Sequence, residues 1–426
     1  MAKTVTSVGP YQQIVFDKDG DGPAGQARAL AALARQGCTD LVVFTHGWNN
    51  TPSSATGLFD RFLAPFPRVA GKAARLGYAG LVWPSMMFSD EPVPDYAAVA
   101  SVVPERAAVV ARLAELAGAE PADEAAFAEF AGLLRELAGV ADGPGSASGP
   151  GTGGIGTGAG AGAGAGVEVP GFLVGDPRTV YAMFADARDA VAGAGSAAGA
   201  GAGVGAAELF GGDPVKRLWR GAKEALRQAT YYTMKRRAGV VGEHGLGPLL
   251  GELARLAPGL RVHLTGHSFG GRLVAHALRG LPEGVRTVKS VTLFQGAFSH
   301  YAFTDRVPYG RARPGSLPGL QARIDGPLVA CHSAHDTALG IFYPLASRVA
   351  RDDDSLLGDD RRWWAVGHDG VQAVPGTAAV PLAAALRDGL PASGCVNVDA
   401  AAVVSEHSDI CHEELARVVA RAGRFA

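Results

Sequence analysis

The sequence predicts an α/β protein in which a mostly parallel central sheet is covered by helices on both faces and interrupted by a large helical insertion. Three observations predict it. Short apolar, β-branched runs alternate with amphipathic helical periods on both sides of the middle third of the chain. Hydrophobic residues make up 47% of the 426 residues and charged ones only 19%, which leaves ample material for a deep core. Two Gly/Ala-rich stretches lie inside the chain, so they mark an insertion and not a tail.

In the first block, Leu41–Thr45 (LVVFT) reads as a buried strand. After it, Thr51 is placed to cap a helix with Pro52 at its first position. Ala55, Leu58, Phe59, Phe62 and Phe66 fall on one face of that helix. Ala79–Trp83 reads as the next strand. The alternation resumes with a helix over Leu246–Leu256, a strand over Arg261–Thr265 and a helix over Gly270–Leu278. Strands are expected at Val288–Phe294, Leu328–His332 and Val396–Asp399, a helix at Ala338–Val349 and a closing helix at His412–Ala420. In such a parallel sheet, reactive groups belong at the carboxyl ends of the strands.

These blocks, 1–85 and 241–426, form the expected core, and 86–240 forms the insertion. Pro104–Leu116 and Glu124–Leu137 are Ala/Leu/Glu-rich helix candidates. Asp213 caps a longer helix, Pro214–Arg237, with Val215, Leu218, Trp219, Ala222, Leu226 and Ala229 along one face. Its other face carries Lys216, Arg217, Arg220, Lys223, Arg227, Lys235, Arg236 and Arg237, and reads as a solvated face rather than a membrane-binding one. Residues 143–166 hold 12 Gly and 5 Ala, and residues 193–207 hold 6 Gly and 7 Ala. Neither stretch has side chains enough to offset the entropy of ordering, so both are expected to be flexible linkers.

Composition excludes several function classes. Lys+Arg total 39 and Asp+Glu 41, so the net charge of −2 gives no pull toward nucleic acid or anionic membranes. Arg supplies 32 of those 39 basic residues, which reads as a GC-rich coding bias. Four cysteines, Cys38, Cys331, Cys395 and Cys411, are too few for a disulfide scaffold, and no C-x-x-C occurs. The start of the chain lacks the apolar core of a signal peptide, and no run of about 18 apolar residues marks a membrane span. The expectation is a soluble, reduced, cytoplasmic protein. Kinase signatures and the Walker A loop are absent, which disfavours nucleotide chemistry.

Gly266-His267-Ser268-Phe269-Gly270 fits G-x-S-x-G, directly after a predicted strand and before a predicted helix. A serine on such a sharp turn needs glycines on both sides, because strand and helix pass closely there. The following helix aims its amides and its positive end at the site. On this motif and its setting the sequence resembles the α/β-hydrolase superfamily of serine esterases, lipases and thioesterases. The resemblance covers roughly residues 35–90 and 240–426; the insertion corresponds to that superfamily's variable lid.

The resemblance implies a nucleophile at Ser268, with an acid and then a histidine later in the chain. It also implies two backbone oxyanion donors. One is the N–H of Phe269, directly after the nucleophile. The other is the N–H of Trp48, in His46-Gly47-Trp48, which is similar to the family's His-Gly oxyanion motif. His46 itself is expected to bond loop backbone, and Gly47 to allow close approach. Asp336, four residues past a strand, is the expected acid; Asp305, Asp325 and the run Asp352–Asp354 compete. His407, between the last strand and the last helix, is the expected base. His412 is the runner-up and His368 a third candidate.

The expected activity is cleavage of a carboxylic ester or thioester through an acyl-enzyme, with no cofactor and no metal. His332, His335 and Asp336, or His407, Asp409, His412 and Glu413, are rich in ligand types, but such density is also expected around a triad. The substrate is expected to be a small acyl ester, lipophilic given the lid's apolar helix face. Met86, Met87 and Phe88 either line an acyl pocket or fill core. The alternatives are a catalytically inactive binding or scaffold protein on the same fold, and an acyltransferase using the same triad.

Overall fold

A computed structural model of the chain describes residues 6–48, 50–85, 96, 100, 103–140, 171–197, 213–309, 313–336 and 364–426. These fall into two units. The first takes its described residues from 6–85, 234–336 and 364–426, and the second from 96–233. The expected insertion ended at residue 240; the boundary between units falls at Thr233/Met234 instead.

The first unit is built on one eight-stranded sheet. Its strands are β1 (Tyr11–Val15), β2 (Asp40–Thr45), β3 (Leu76–Val82), β4 (Arg261–His267), β5 (Val288–Phe294), β6 (Pro327–His332), β7 (Ala378–Pro381) and β8 (Gly394–Asp399). Their order is β1-β3-β2-β4-β5-β6-β8-β7, and every neighbouring pair is parallel. Parallel strands need crossovers, and the helices supply them. β2 is buried at all six positions and β4 at all but its first, as expected for a sheet covered on both faces.

One layer of the core is aromatic. Phe44 of β2 stacks on Phe62 at 3.9 Å, and Phe62 meets Phe294 of β5 edge-on at 5.5 Å. Phe62 belongs to the helix Pro52–Leu63, whose start is fixed as the sequence predicts: Thr51 Oγ1 accepts the Ser54 N–H at 3.0 Å. Ala55 and Phe59 of that helix are fully buried, and Phe66 is buried from a short helix that follows, Phe66–Val69. A π-helical segment, Val241–Leu246, leads into the helix Gly247–Leu256. The segment Gly266–Gly270 leads into the helix Phe269–Gly280, and Glu413–Gly423 closes the chain.

The second unit contains the helices Ala107–Ala119, Glu124–Ala138 and Pro177–Ala197, and the residues of Pro214–Val240 up to Thr233. Trp219 is fully buried between Phe127 and Phe130, with ring centroids at 5.0 and 5.3 Å, and its indole N–H donates to the Pro121 carbonyl at 2.9 Å. Trp219 of this helix's apolar face is therefore spent on the unit's own core.

The basic face of the same helix is not uniformly solvated. Lys223 pairs with Glu120 at 2.7 Å and Arg227 with Glu224 at 2.8 Å. Arg237 is buried and donates to the Pro84 carbonyl at 2.9 Å. Burial, aided by the Arg272 charge, pulls the Lys235 ammonium down to about 7. Residues 193–197, expected in a linker, continue the helix Pro177–Ala197 as its last turn, although two of the five are glycines. Residues 143–166 and 198–207, the expected helix Ala338–Val349, Asp352–Asp354, and Met86, Met87 and Phe88 lie outside the described residues. Among the described residues, no helix is long and apolar enough to cross a membrane. The four cysteines are free thiols.

Candidate active site

Ser268 sits at the first position past β4, at the carboxyl edge of the sheet. Its backbone is held at φ 56°, ψ −120°, a region that non-glycine residues avoid. Tertiary bonds enforce it: the Ser268 N–H donates to Phe294 O at 3.0 Å, and Ser268 O accepts from the N–H groups of Gly271 and Ala297. The flanking glycines are required by space. A Cβ on Gly266 would strike the Gly270 carbonyl, and one on Gly270 would strike the carbonyl oxygens of Thr45 and His46. The strained serine thus rests on a turn that only glycines permit.

Ser268, Asp336 and His407, proposed from the sequence alone, come together. His407 Nε2 lies 2.9 Å from Ser268 Oγ, and His407 Nδ1 lies 2.7 Å from Asp336 Oδ2. A carboxylate only accepts, so Nδ1 carries the proton and the neutral ring's Nε2 is left to accept from the serine hydroxyl. The Asp336 carboxyl is fully buried and the His407 ring is 25% exposed.

The loops that carry these two residues are tied together. Ser333 Oγ donates to the Val404 carbonyl at 2.8 Å, and Asp336 N–H donates back to Ser333 O. The His407 loop has its own staple at Asp409, which accepts from the Ser405 N–H and hydroxyl and from His412 Nε2 at 2.5 Å. Burial alone would raise the Asp409 carboxyl, but these donors hold it below its ordinary range. His412 is therefore committed to Asp409 as the residue before the closing helix, not within it. His368 packs edge-on against Trp364 at 4.3 Å, Asp305 is exposed, and Asp325 pairs with Lys289 at the opposite end of the sheet.

His267 is the site residue the sequence reading passed over as the variable position of the motif. Its Nε2–H donates to the His407 carbonyl at 2.8 Å, fixing the backbone of His407. Burial, with the neighbouring His407 and His46, pushes its imidazole down to about 3, so it works as a neutral donor. No local pattern distinguishes that role, because its partner lies 140 residues away.

On the other side of Ser268 is the loop after β2. A Cβ on Gly47 would lie 2.9 Å from Ser268 Cβ, so the loop passes against Ser268 with no room for a side chain at that position. The Trp48 ring lies 6.1 Å from that of Phe269, which opens the nucleophile helix. His46 braces this loop as expected. Its Nε2 accepts the Trp83 N–H at 3.4 Å, its Nδ1–H donates to Gly47 O at 2.9 Å, and its own carbonyl accepts the Trp83 indole N–H at 3.0 Å. Complete burial holds this imidazole neutral, at about 4. Among the described residues, no three His, Cys, Asp or Glu side chains converge as metal ligands.

Compared with family models, curated proteins and solved structures, the chain matches none. The arrangement therefore stands on its own chemistry: a strained serine hydroxyl bonded to an imidazole, which a buried carboxylate orients.

Proposed function

We propose that the chain is a serine hydrolase of the α/β-hydrolase fold that cleaves a carboxylic ester or thioester through an acyl-enzyme. The observation that carries this reading is the unbroken chain Ser268 Oγ, His407 Nε2, His407 Nδ1, Asp336 Oδ2 at the carboxyl edge of a parallel sheet. The order of nucleophile, acid and base along the sequence supports it as well.

In the proposed reaction His407 Nε2 takes the hydroxyl proton as Ser268 Oγ attacks the carbonyl carbon. Asp336 keeps the ring in the reactive tautomer and stabilises the imidazolium. The tetrahedral oxyanion is received by the backbone N–H groups of Trp48 and Phe269, at the positive end of the nucleophile helix. Collapse breaks the bond to the leaving alcohol or thiol, which takes the proton from His407. Water, deprotonated by the same imidazole, then releases the acid and restores the serine.

Treatment of the purified protein with a fluorophosphonate probe tests this directly. Wild type should gain the probe mass on the Ser268 peptide, and Ser268→Ala and His407→Ala should not. Absence of labelling in folded wild type would sink the reading in favour of a non-catalytic binding protein.

A further inference from the structure

The row of residues at the carboxyl edge holds a second position built like the nucleophile's. His267 of β4 is in register with Phe294 of β5, so Ser268 and Gln295 are side by side, each the first residue past its strand. Their backbones make equivalent bonds. The Ser268 N–H donates to Phe294 O and the Gln295 N–H to Cys331 O, in each case on the next strand. Gln295 also has positive φ, 44°. Among the described non-glycine residues with positive φ, Ser268 and Gln295 are the buried ones; Glu120 is half-buried, and Ala373 and Arg424 are exposed.

The Gln295 side chain is unsatisfied. The residue is 0% exposed, and neither Nε2 nor Oε1 has a hydrogen-bond partner. A primary amide offers two donors and an acceptor, and leaving all of them empty under burial is costly. Two unfavourable features, positive φ and an empty amide, thus meet at one residue beside the reactive serine. Such coincidences belong to ligand sites. Depth does not set the two apart, because Ser268 is itself only 5% exposed. Adjacent strands lie about 4.8 Å apart, so a group that reaches Ser268 Oγ extends within reach of Gln295.

We propose that the Gln295 carboxamide is a substrate-binding group that takes a neutral donor–acceptor function, a hydroxyl or an amide, placed two or three bonds from the scissile carbonyl. This rests on the serine-hydrolase reading and narrows its substrate class from plain aliphatic esters to hydroxy- or amido-substituted ones. The geometry also divides the site. The loop after β2, on one side of Ser268, is the proposed oxyanion side, and Gln295 lies on the β5 side. One substituent of the carbonyl carbon then runs over β5.

The test compares p-nitrophenyl butanoate with p-nitrophenyl 3-hydroxybutanoate and the p-nitrophenyl ester of N-acetylglycine. Wild type should favour at least one substituted ester by about tenfold or more in kcat/KM, and Gln295→Met should bring that ratio close to one. The two substituted esters distinguish a hydroxyl from an amide. Equal rates on all three esters with wild type, or an unchanged ratio in folded Gln295→Met, overturn the proposal. Calorimetry of the same esters with Ser268→Ala reads the subsite without chemistry, and equal binding of all three also overturns it. A preference in that binding, alongside no fluorophosphonate labelling of wild type, would uphold the subsite while removing the hydrolase reading.

Discussion

The sheet carries a Ser–His–Asp hydrogen-bonded chain at each of its two ends. At the carboxyl end are Ser268, His407 and Asp336, linked at 2.9 and 2.7 Å. Toward the amino end are Ser290, His263 and Asp40, linked at 2.9 and 2.9 Å. Residue types and distances nearly coincide, but three physical features differ. Ser290 lies inside β5, in a regular strand, whereas Ser268 is strained on a turn at a helix N-terminus. Ser290, His263 and Asp40 are all buried in the core, whereas His407 is partly open. Asp40 also receives Arg261 at 2.9 Å and the Thr39 hydroxyl at 2.6 Å, so its charge is spent on structure. Bond lengths alone do not make a reactive serine; access, strain and a place for the oxyanion do.

The largest effects should separate these chains by activity. Ser268→Ala and His407→Ala are each expected to cost about 10⁵- to 10⁶-fold in kcat on an ester the protein cleaves, and Asp336→Asn about 10⁴-fold. Ser290→Ala should retain wild-type kcat and full labelling at Ser268. Labelling of Ser290 by the fluorophosphonate probe, or loss of activity in folded Ser290→Ala, would show that the two chains do not differ in reactivity.

The difference between the two chains also explains what the sequence could disclose. Ser268 is marked by the G-x-S-x-G motif, and Asp336 and His407 sit just past or between elements whose apolar runs are readable, so the chain order implied by the resemblance points to them. Central strands such as β2, buried at every position, announce themselves the same way. The two strands missed, β1 and β7, are the edges of the sheet. Each has one partner and exposed positions; YQQIV is broken by two glutamines, and AAVP is four residues long with a single β-branched residue, ends in proline and runs straight into an Ala/Leu helix, so neither reads as a strand. Arg237 reads as solvated in the sequence because its acceptor, Pro84 O, is 153 residues distant. The same holds for Ser290, His263 and Asp40. Their chain is closed by sheet pairing between β2, β4 and β5, which no local pattern encodes.

Stability should separate the two ends in the opposite sense. Asp40→Asn removes the charge that accepts from His263 Nε2 and Arg261, and is expected to cost about 3–5 kcal/mol. Ser290→Ala strands His263 Nδ1 in the core and should cost about 1–3 kcal/mol. Urea unfolding at pH 7 measures both. Ser268→Ala, by contrast, should leave the midpoint near or above that of wild type, because it removes no buried structural partner. A destabilised Ser268→Ala together with a neutral Ser290→Ala would invert the assignment of the two ends.

The smallest expected effect is a pH dependence originating at the carboxyl edge. Burial depresses His46 to about 4 and His267 to about 3, from an ordinary value of 6.5. The folded protein keeps both rings neutral, whereas the unfolded chain protonates them below about pH 6.5. Over that interval the unfolded state binds more protons, so stability falls as pH falls. The loss should set in below pH 6.5 and continue toward about 4 for His46 and about 3 for His267. His263, also held low by burial against the opposing pull of Asp40, adds a loss of the same sign from the other end. His267→Gln keeps a donor for the His407 carbonyl while deleting one titrating ring. Its urea midpoint should therefore fall less steeply between pH 7 and 5 than that of wild type, by about one proton's worth of slope. Parallel pH profiles for the two proteins would show that His267 gains its proton in the folded state as readily as in the unfolded one, contrary to its buried place beneath His407.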